Sequence, residues 1–474
     1  MARAHEAGTL HAGVMAPAPA WLQTPEDPNA LLPGLWASTV QRSGDGVLSV
    51  GGVPVTDLAA EHGTPAYVLD EVDLRQRARA HATAFDEAFR DLCGGADVYY
   101  AGKAFLTVAV ARWVREEGLR LDTTTGGEMA VGLRAGLAAA DMTLHGNNKS
   151  DAEIDRALSH GIGRIVLDSA DEPARVAALA RARGVRAPVM VRVNVGVEAH
   201  THEFIATAHE DQKFGLALSD GVAAGVVADV LSRPELELRG LHSHIGSQIF
   251  DPAGFEVAIR RLVGLHAQVL RAHGTALPEM DLGGGFGIAY ASTDRPMPVA
   301  DLASRLARTM AAECAAAGVD VPRVSVEPGR AVVGPSTFTL YEVGTVKPVR
   351  LDGGGRRTYV SVDGGMSDNV RTALYDADYS CTLASRASDA QPVLARVVGK
   401  HCESGDIVVR DEFLPGDVRR GDLVAVPGTG AYCRSLSSQY NHVPRPPVVS
   451  VRDGVSRVLL RRETEDDLLS LDQG

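Results

Sequence analysis

The chain has 474 residues, 45% hydrophobic and 23% charged, with a formal net charge of −13; this suits a globular protein of about two domains and argues against a general nucleic-acid binder. Its five cysteines, an odd number with no CxxC pair, suggest neither a disulfide framework nor a zinc knuckle and fit a reducing, cytoplasmic setting. No apolar run reaches the ~18 residues of a membrane span, and the Ala/Pro-rich first 45 residues hold no unbroken apolar stretch of a signal peptide.

Residues 1–34, interrupted by Pro17, Pro19, Pro25, Pro28 and Pro33, read as a weakly ordered arm. Two β-like stretches follow, Val47–Val55 and Pro65–Asp70. They lie in a segment, 35–71, that is expected to join a later β domain, because a closed barrel has no edge to receive them. From about residue 72, short β-branched runs alternate with Ala/Leu/Arg-rich helical segments. The runs are Val98–Ala101, Leu119–Thr123, Met142–His145, Arg164–Asp168, Val189–Val195, Leu238–His244, Met280–Gly283 and Val324–Glu327. Amphipathic segments such as Ala152–His160, Glu172–Arg183 and Phe255–His273 lie between them. Eight strand–helix units in series predict a parallel (β/α)8 TIM barrel over 72–333. After Arg330 the alternation stops. Runs at Phe338–Val349, Arg357–Val362, Val393–Val398, Asp406–Val409, Asp422–Val426 and Val448–Arg452 predict a second, all-β domain over 334–474, a sandwich or barrel.

In such barrels the reactive groups collect at the C-terminal ends of the strands. Lys103 follows the first predicted strand, in Tyr100-Ala-Gly-Lys-Ala-Phe105. Taken alone it reads as a solvated surface lysine; desolvated beside an aldehyde, it would form an imine. Gly283-Gly-Gly-Phe-Gly287 follows the seventh strand, where backbone N–H groups can converge on a phosphate. Glu327-Pro-Gly-Arg330 ends the eighth, placing a carboxylate beside a guanidinium. An amine, a phosphate cradle and a carboxylate are the three groups needed to hold pyridoxal phosphate (PLP).

His242-Ser-His244-Ile-Gly-Ser247 ends the sixth strand. Two histidines two apart on a strand share a face and can bind a metal in barrel hydrolases. The later strand ends offer no further histidine, so no metal is expected. His244 is read as stacking on a cofactor ring, Ser247 as a phosphate contact, and His242 as a packed or hydrogen-bonded core residue. In the β domain, Cys402 sits in His401-Cys-Glu-Ser-Gly-Asp406, bracketed by polar groups and suited to delivering a proton. Arg371 and Tyr375, four apart, fit one helical face, and Tyr432 follows the turn Gly428-Thr-Gly-Ala431.

With Asp122-Thr-Thr-Thr-Gly-Gly-Glu128, His145-Gly-Asn-Asn-Lys-Ser150 and Asp363-Gly-Gly-Met-Ser-Asp-Asn-Val-Arg371, these motifs run in order from about residue 35 onward. The chain resembles the PLP-dependent decarboxylases of the alanine-racemase-like fold, most closely those that act on diaminopimelate. The resemblance implies Lys103 as the Schiff-base lysine, His244 on the ring face and Cys402 as proton donor. It implies cofactor contacts from Ser247, Gly284, Gly285, Glu327, Pro328, Gly329, Arg330 and Tyr432. Substrate contacts would come from Arg330, Arg371, Tyr375, Glu403 and Tyr432. The implied reaction converts meso-2,6-diaminopimelate to L-lysine and CO₂, the last step of lysine synthesis, in a cytoplasmic homodimer whose active sites are shared between subunits. No nucleic-acid or membrane partner is implied. The run Ala104-Phe105-Leu106 departs from the commoner Ala-Asn of the family and leaves the contact of Phe105 open.

Other readings consistent with the residues are a same-fold decarboxylase of arginine, ornithine or carboxynorspermidine, a racemase, a metal-dependent barrel hydrolase and a non-catalytic binding homologue. A racemase would need a second base where the thiol stands. The diaminopimelate reading rests on the remote end of that substrate, an ammonium beside a carboxylate, for which Glu403 and Arg371 are a matched pair.

Overall fold

The computed structural model describes residues 18–197, 213–351 and 354–474. The part of the predicted arm before residue 18 lies outside the described residues. Residues 18–34 form turns without helix or strand. By its internal contacts the chain divides into two units, Arg75–Gly287 with Pro296–Val332, and Met1–Leu74 with Ile288–Arg295 and Val333–Gly474.

The first unit is a closed parallel barrel. Its strands are β1 (Ala96–Ala101), β2 (Arg120–Thr123), β3 (Met142–Leu144), β4 (Arg164–Leu167), β5 (Ala187–Asn194), β6 (Leu236–His242), β7 (Glu279–Asp281) and β8 (Arg323–Val326). Each pairs with the next, and β8 pairs with β1 to close the ring, Val324 opposite Ala96 and Val326 opposite Val98. All eight predicted runs are present. Parallel strands covered by helices are buried on both faces and so read as continuous apolar runs. The helices between them start and stop on local signals. In Asp151–His160, Ser150 and Glu153 form a reciprocal capping box, and Gly161 ends the helix in the left-handed conformation. In Ala253–His273 the buried residues Phe255, Ala258, Ile259, Leu262 and Val263 recur at helical spacing.

The barrel interior holds a buried cation. Arg164, on β4, donates Nη2 to Asp281 at 2.6 Å and to Ser325 Oγ at 3.0 Å. Its Nη1 reaches Glu279 at 3.1 Å, its Nε reaches Thr143 Oγ1 at 2.9 Å, and the guanidinium lies 4.1 Å from the centre of the Tyr99 ring. Five strands are thereby tied to one side chain.

In the second unit, sheet order runs Ile407–Pro415, Pro392–Val398, Arg356–Val362, Thr337–Arg350, Ala66–Asp70, Val448–Arg452, Val455–Leu460. The long strand Thr337–Arg350 pairs with Ala66–Asp70 and Leu423–Pro427 along its first part, then with Arg356–Val362 after a register shift between Val343 and Val346. Ala66–Asp70 is an interior strand, antiparallel to Thr337–Arg350 and parallel to Val448–Arg452. The stretch Val47–Val55 is not one strand. It turns back at Gly51-Gly52 into Leu48–Val50 and Val53–Pro54, then enters the helix Val55–His62. Its apolar residues join Val68, Phe338, Leu340, Val449 and Val451 in one core.

Replacing the buried cation of an ion pair strands its carboxylate. Arg164→Met is therefore expected to lower unfolding free energy by about 3–5 kcal/mol, with part of the loss recovered when Asp281→Asn is added. Urea denaturation of the two variants checks this.

Candidate active site

The C-terminal mouth of the barrel is assembled from strand ends. Lys103 lies in a 3-10 turn, Gly102–Ala104, directly after β1, with its side chain exposed. The turn is fixed at both sides. Ala101 N–H donates to Pro328 O at 3.2 Å, and Tyr100 Oη donates to Phe105 O at 2.6 Å. Phe105 is buried, so the residue that departs from the commoner family pattern serves packing. A Cβ on Gly329 would stand 2.9 Å from Ala101 O and 3.0 Å from Ala104 Cβ, so the lysine turn is seated on the Pro328-Gly329 backbone.

His244, Ser247, Gly284, Gly285, Glu327 and Arg330 are brought together here. Gly284 N–H donates to His244 Nδ1 at 3.3 Å, which fixes Nδ1 as an acceptor. Burial, with the nearby positive charges of Lys103 and Arg192, pushes the His244 pKa well below its usual range, so the ring is neutral. Arg330 Nη2 donates to Ser247 Oγ at 2.8 Å. Glu327 N–H donates to Gly283 O at 2.9 Å. A Cβ on Gly284 would lie 2.1 Å from Glu327 O, and one on Gly285, which has φ +100°, would lie 2.2 Å from Gly246 O. Only glycine permits this close backbone approach.

Glu327 is buried, not a surface ion pair. His145 Nε2 lies 2.9 Å from its Oε1 and 3.3 Å from Asp122 Oδ1, and His242 Nε2 lies 3.4 Å from Glu327 Oε1. Burial alone would raise the Glu327 pKa, but His145 and His242 hold it well below the usual carboxylate range. The two acids therefore differ. Burial pushes Asp122 up to about 6, His145 only partly offsetting it. Of the buried atoms, Glu327 Oε1, His145 Nε2 and Asp122 Oδ1 lack a well-directed hydrogen bond among the described residues. Sequence reasoning assigned His242 to a hydrogen-bonded core, where it lies, but gave no role to Asp122 or His145. Their position at the ends of predicted strands two and three was the available signal. Arg192 on β5 was also missed. It pairs with Asp168 at 3.4 Å and lies over Phe214 at 4.5 Å.

Arg371, Tyr375, Cys402, Glu403 and Tyr432 belong to the β unit. Arg371 and Tyr375 share the helix Arg371–Tyr375, yet Arg371 is buried while Tyr375 is 59% exposed. The Arg371 guanidinium bonds the Tyr379 hydroxyl and lies 4.6 Å from the centre of the Tyr290 ring. Its buried Nε has no hydrogen-bond partner among the described residues. Cys402 and Glu403 are exposed on a loop that Asp406 cinches by accepting the N–H groups of His401 at 2.8 Å and Met366 at 2.6 Å. The His401 ring is held by Asn441 Oδ1 at 3.1 Å and Ser367 Oγ at 2.8 Å. Tyr432 takes the left-handed conformation, φ +64°.

The barrel mouth thus offers an amine, a glycine cradle with a serine and an arginine beside it, and a buried charged carboxylate whose neighbours lack directed partners. These features fit pyridoxal phosphate, with its phosphate at one end and a basic ring nitrogen at the other.

Comparisons with known proteins agree. The sequence model described as "Pyridoxal-dependent decarboxylase, pyridoxal binding domain" matches residues 74–334. The chain is 54% identical over 446 residues to the diaminopimelate decarboxylase of Mycobacterium tuberculosis, covering 93% of this chain and 98% of that one. It is 52% identical over 477 residues to that of Mycobacterium leprae, covering 99% of each. Among solved structures, the diaminopimelate decarboxylase of M. jannaschii in complex with L-lysine superposes with a TM-score of 0.86 at 28% identity, covering 92% of this chain and 98% of that one.

Two measurements probe the site. Gly285→Ala is expected to emerge from purification with less cofactor, read by visible absorbance, while Gly264→Ala, whose Cβ would meet open space, stays loaded. Asp368, bonded to the Tyr341 hydroxyl and to Gly365 N–H, is pushed by burial up to about 7. The folded chain keeps a proton that the unfolded chain releases above about pH 4, so this contribution to stability falls as pH rises from about 4 to about 7. Asp368→Asn should flatten that slope in urea titrations run across the window.

Proposed function

Since the chain belongs to the diaminopimelate decarboxylase family of pyridoxal-dependent enzymes, we propose that the barrel mouth holds the cofactor while the β-unit loop supplies the proton. The protein decarboxylates meso-2,6-diaminopimelate to L-lysine and CO₂, the last step of lysine biosynthesis. The observation that carries this reading is the convergence at one barrel end of the Lys103 turn, the glycine cradle and the ionised, buried Glu327.

Pyridoxal phosphate, when bound, supplies an aldehyde for amine capture and a protonated ring that withdraws electrons from the substrate α-carbon. Lys103 provides the amine that tethers it. Gly284 and Gly285, with Ser247, Arg330 and Tyr432, bind its phosphate, and Pro328 and Gly329 shape the floor under the lysine turn. Neutral His244 covers a ring face without adding charge. Glu327, already ionised, accepts the ring N–H and keeps that proton in place.

Arg330, Arg371, Tyr375, Glu403 and Tyr432 orient the substrate. The Arg371 guanidinium, already ordered by Tyr379 and Tyr290, suits the remote carboxylate, and Glu403 suits the remote ammonium. A substrate lacking that carboxylate would leave a buried guanidinium without its acceptor. Cys402 Sγ–H then delivers its proton to the α-carbon in place of the departed CO₂. The exposure of Cys402, with Leu374 and Tyr375 exposed on the same unit, favours a homodimer in which Cys402 of the partner subunit completes each site. A cytoplasmic setting fits five free thiols.

Borohydride reduction followed by peptide mapping is expected to place the cofactor on Lys103. In a CO₂-release assay, meso-2,6-diaminopimelate should be preferred over ornithine, lysine and arginine by about 10⁴-fold in kcat/KM. A preference for any of those three sinks the substrate assignment. Cys402→Ala should keep the cofactor's visible spectrum and lose about 10²–10⁴-fold in turnover; an unchanged rate removes the thiol from the reaction.

A further inference from the structure

Four strand ends converge on the Glu327 carboxylate: it follows β8 directly, β6 contributes His242, the turn after β3 contributes His145, and β2 contributes Asp122. The His145 and His242 rings meet edge to face, 5.0 Å between centres at 66°. His145 Nε2 lies 2.9 Å from Glu327 Oε1, and His242 Nε2 sits between the two oxygens, 3.4 Å from Oε1 and 3.5 Å from Oε2. His145 Nε2 is also within 3.3 Å of Asp122 Oδ1. Among the described residues, Oε2 takes one long contact, 3.5 Å from His242 Nε2.

We propose that His145 and His242 are positioning residues that flank the Glu327 carboxylate as a clamp, His145 on the Oε1 side and His242 between the two oxygens, with Asp122 sharing the His145 Nε2, so that Glu327 stays ionised and oriented to serve the cofactor's ring nitrogen. The inference rests on the assignment of Glu327 as the partner of that nitrogen. A buried carboxylate without partners takes up a proton, and a protonated Glu327 could not accept the ring N–H. Two imidazole donors remove that risk without a permanent cation pointing at the cofactor. His145 sits between two acids and is raised in pKa by Asp122 and Glu327 against burial, whereas burial lowers His242. The clamp thus pairs one readily charged and one neutral donor. The other charged groups felt in this cluster are Asp281, Lys103, Arg192 and Glu128.

His145, His242 and Glu327 bring potential ligand atoms within 4.8 Å of one another, a spacing open to a divalent metal. Metal-bound histidines usually donate their second N–H to an outer partner. His242 Nδ1 is buried without one, so the clamp is favoured over a metal centre.

The test is a double-mutant cycle on the holoenzyme with three readouts: visible absorbance against pH, cofactor dissociation constant of the reconstituted apoprotein, and kcat with KM. His145→Gln and His242→Gln keep bulk and a donor but not the imidazole. Each is expected to shift the absorbance–pH midpoint, weaken cofactor binding, and lower kcat about tenfold, equivalent to one unit of proton affinity, with KM within about twofold. In a Glu327→Gln background these effects should vanish, since the histidines act through the carboxylate. If one histidine variant fails to fold, the other completes the cycle. Equal effects in both backgrounds, or none in either, overturn the clamp. A Glu327→Gln enzyme with wild-type spectrum, affinity and kcat instead overturns the assignment of Glu327. Stoichiometric divalent metal in the holoenzyme, lost on His242→Gln, replaces the clamp with a metal centre.

Discussion

Much of the barrel unit hangs on the Arg164 guanidinium. Its ion pair with Asp281 lies buried in the barrel interior, and Asp281 does not stop there. The oxygen opposite the one facing Arg164 accepts Gly283 N–H at 2.8 Å, at the start of the glycine cradle. Ser325 Oγ, which donates to the Arg164-facing oxygen at 2.6 Å, stands two residues before Glu327. A salt bridge in the barrel interior therefore sets the backbone from which both the 283–287 turn and the Glu327 carboxylate project. Packing makes such arrangements stiff, and a binding site built on strand ends inherits that stiffness.

The site uses one residue type in opposite electrical states. His244 and His242 are depressed by burial, His145 is raised by flanking carboxylates, and Asp122 and Glu327, within reach of the same imidazole, are pushed apart. Environment, not residue identity, assigns the charge. In the β unit, two tyrosines order the Arg371 guanidinium.

The fold and the reactive residues were legible in the sequence to different depths. The eight barrel strands could be read because strands covered on both faces are uninterrupted apolar runs, and Lys103, Gly284, Gly285 and Glu327 could be read because barrel chemistry gathers where such runs end. Asp122 and His145 were visible only as parts of quoted motifs. Their meaning depends on contacts made across the barrel to Glu327, far along the chain, and no local pattern encodes a partner that distant. The pairing of Arg371 with Tyr290 is hidden for the same reason. Val47–Val55 misled because its apolar residues serve a hairpin and then a helix, and period alone cannot separate these in so short a run.

The interior position of Ala66–Asp70 has a consequence for how the molecule is made. On the ribosome this strand emerges early, whereas its neighbours Thr337–Arg350 and Val448–Arg452 emerge only after the barrel has been translated. The barrel can close around its own local strand–helix units while the amino-terminal strand waits with both edges unpaired. A nascent chain stalled or truncated before residue 448 would present that apolar strand, Ala-Tyr-Val-Leu-Asp, to any other unpaired edge nearby. Arrival of Val448–Arg452 is thus the event that covers the second edge of this strand.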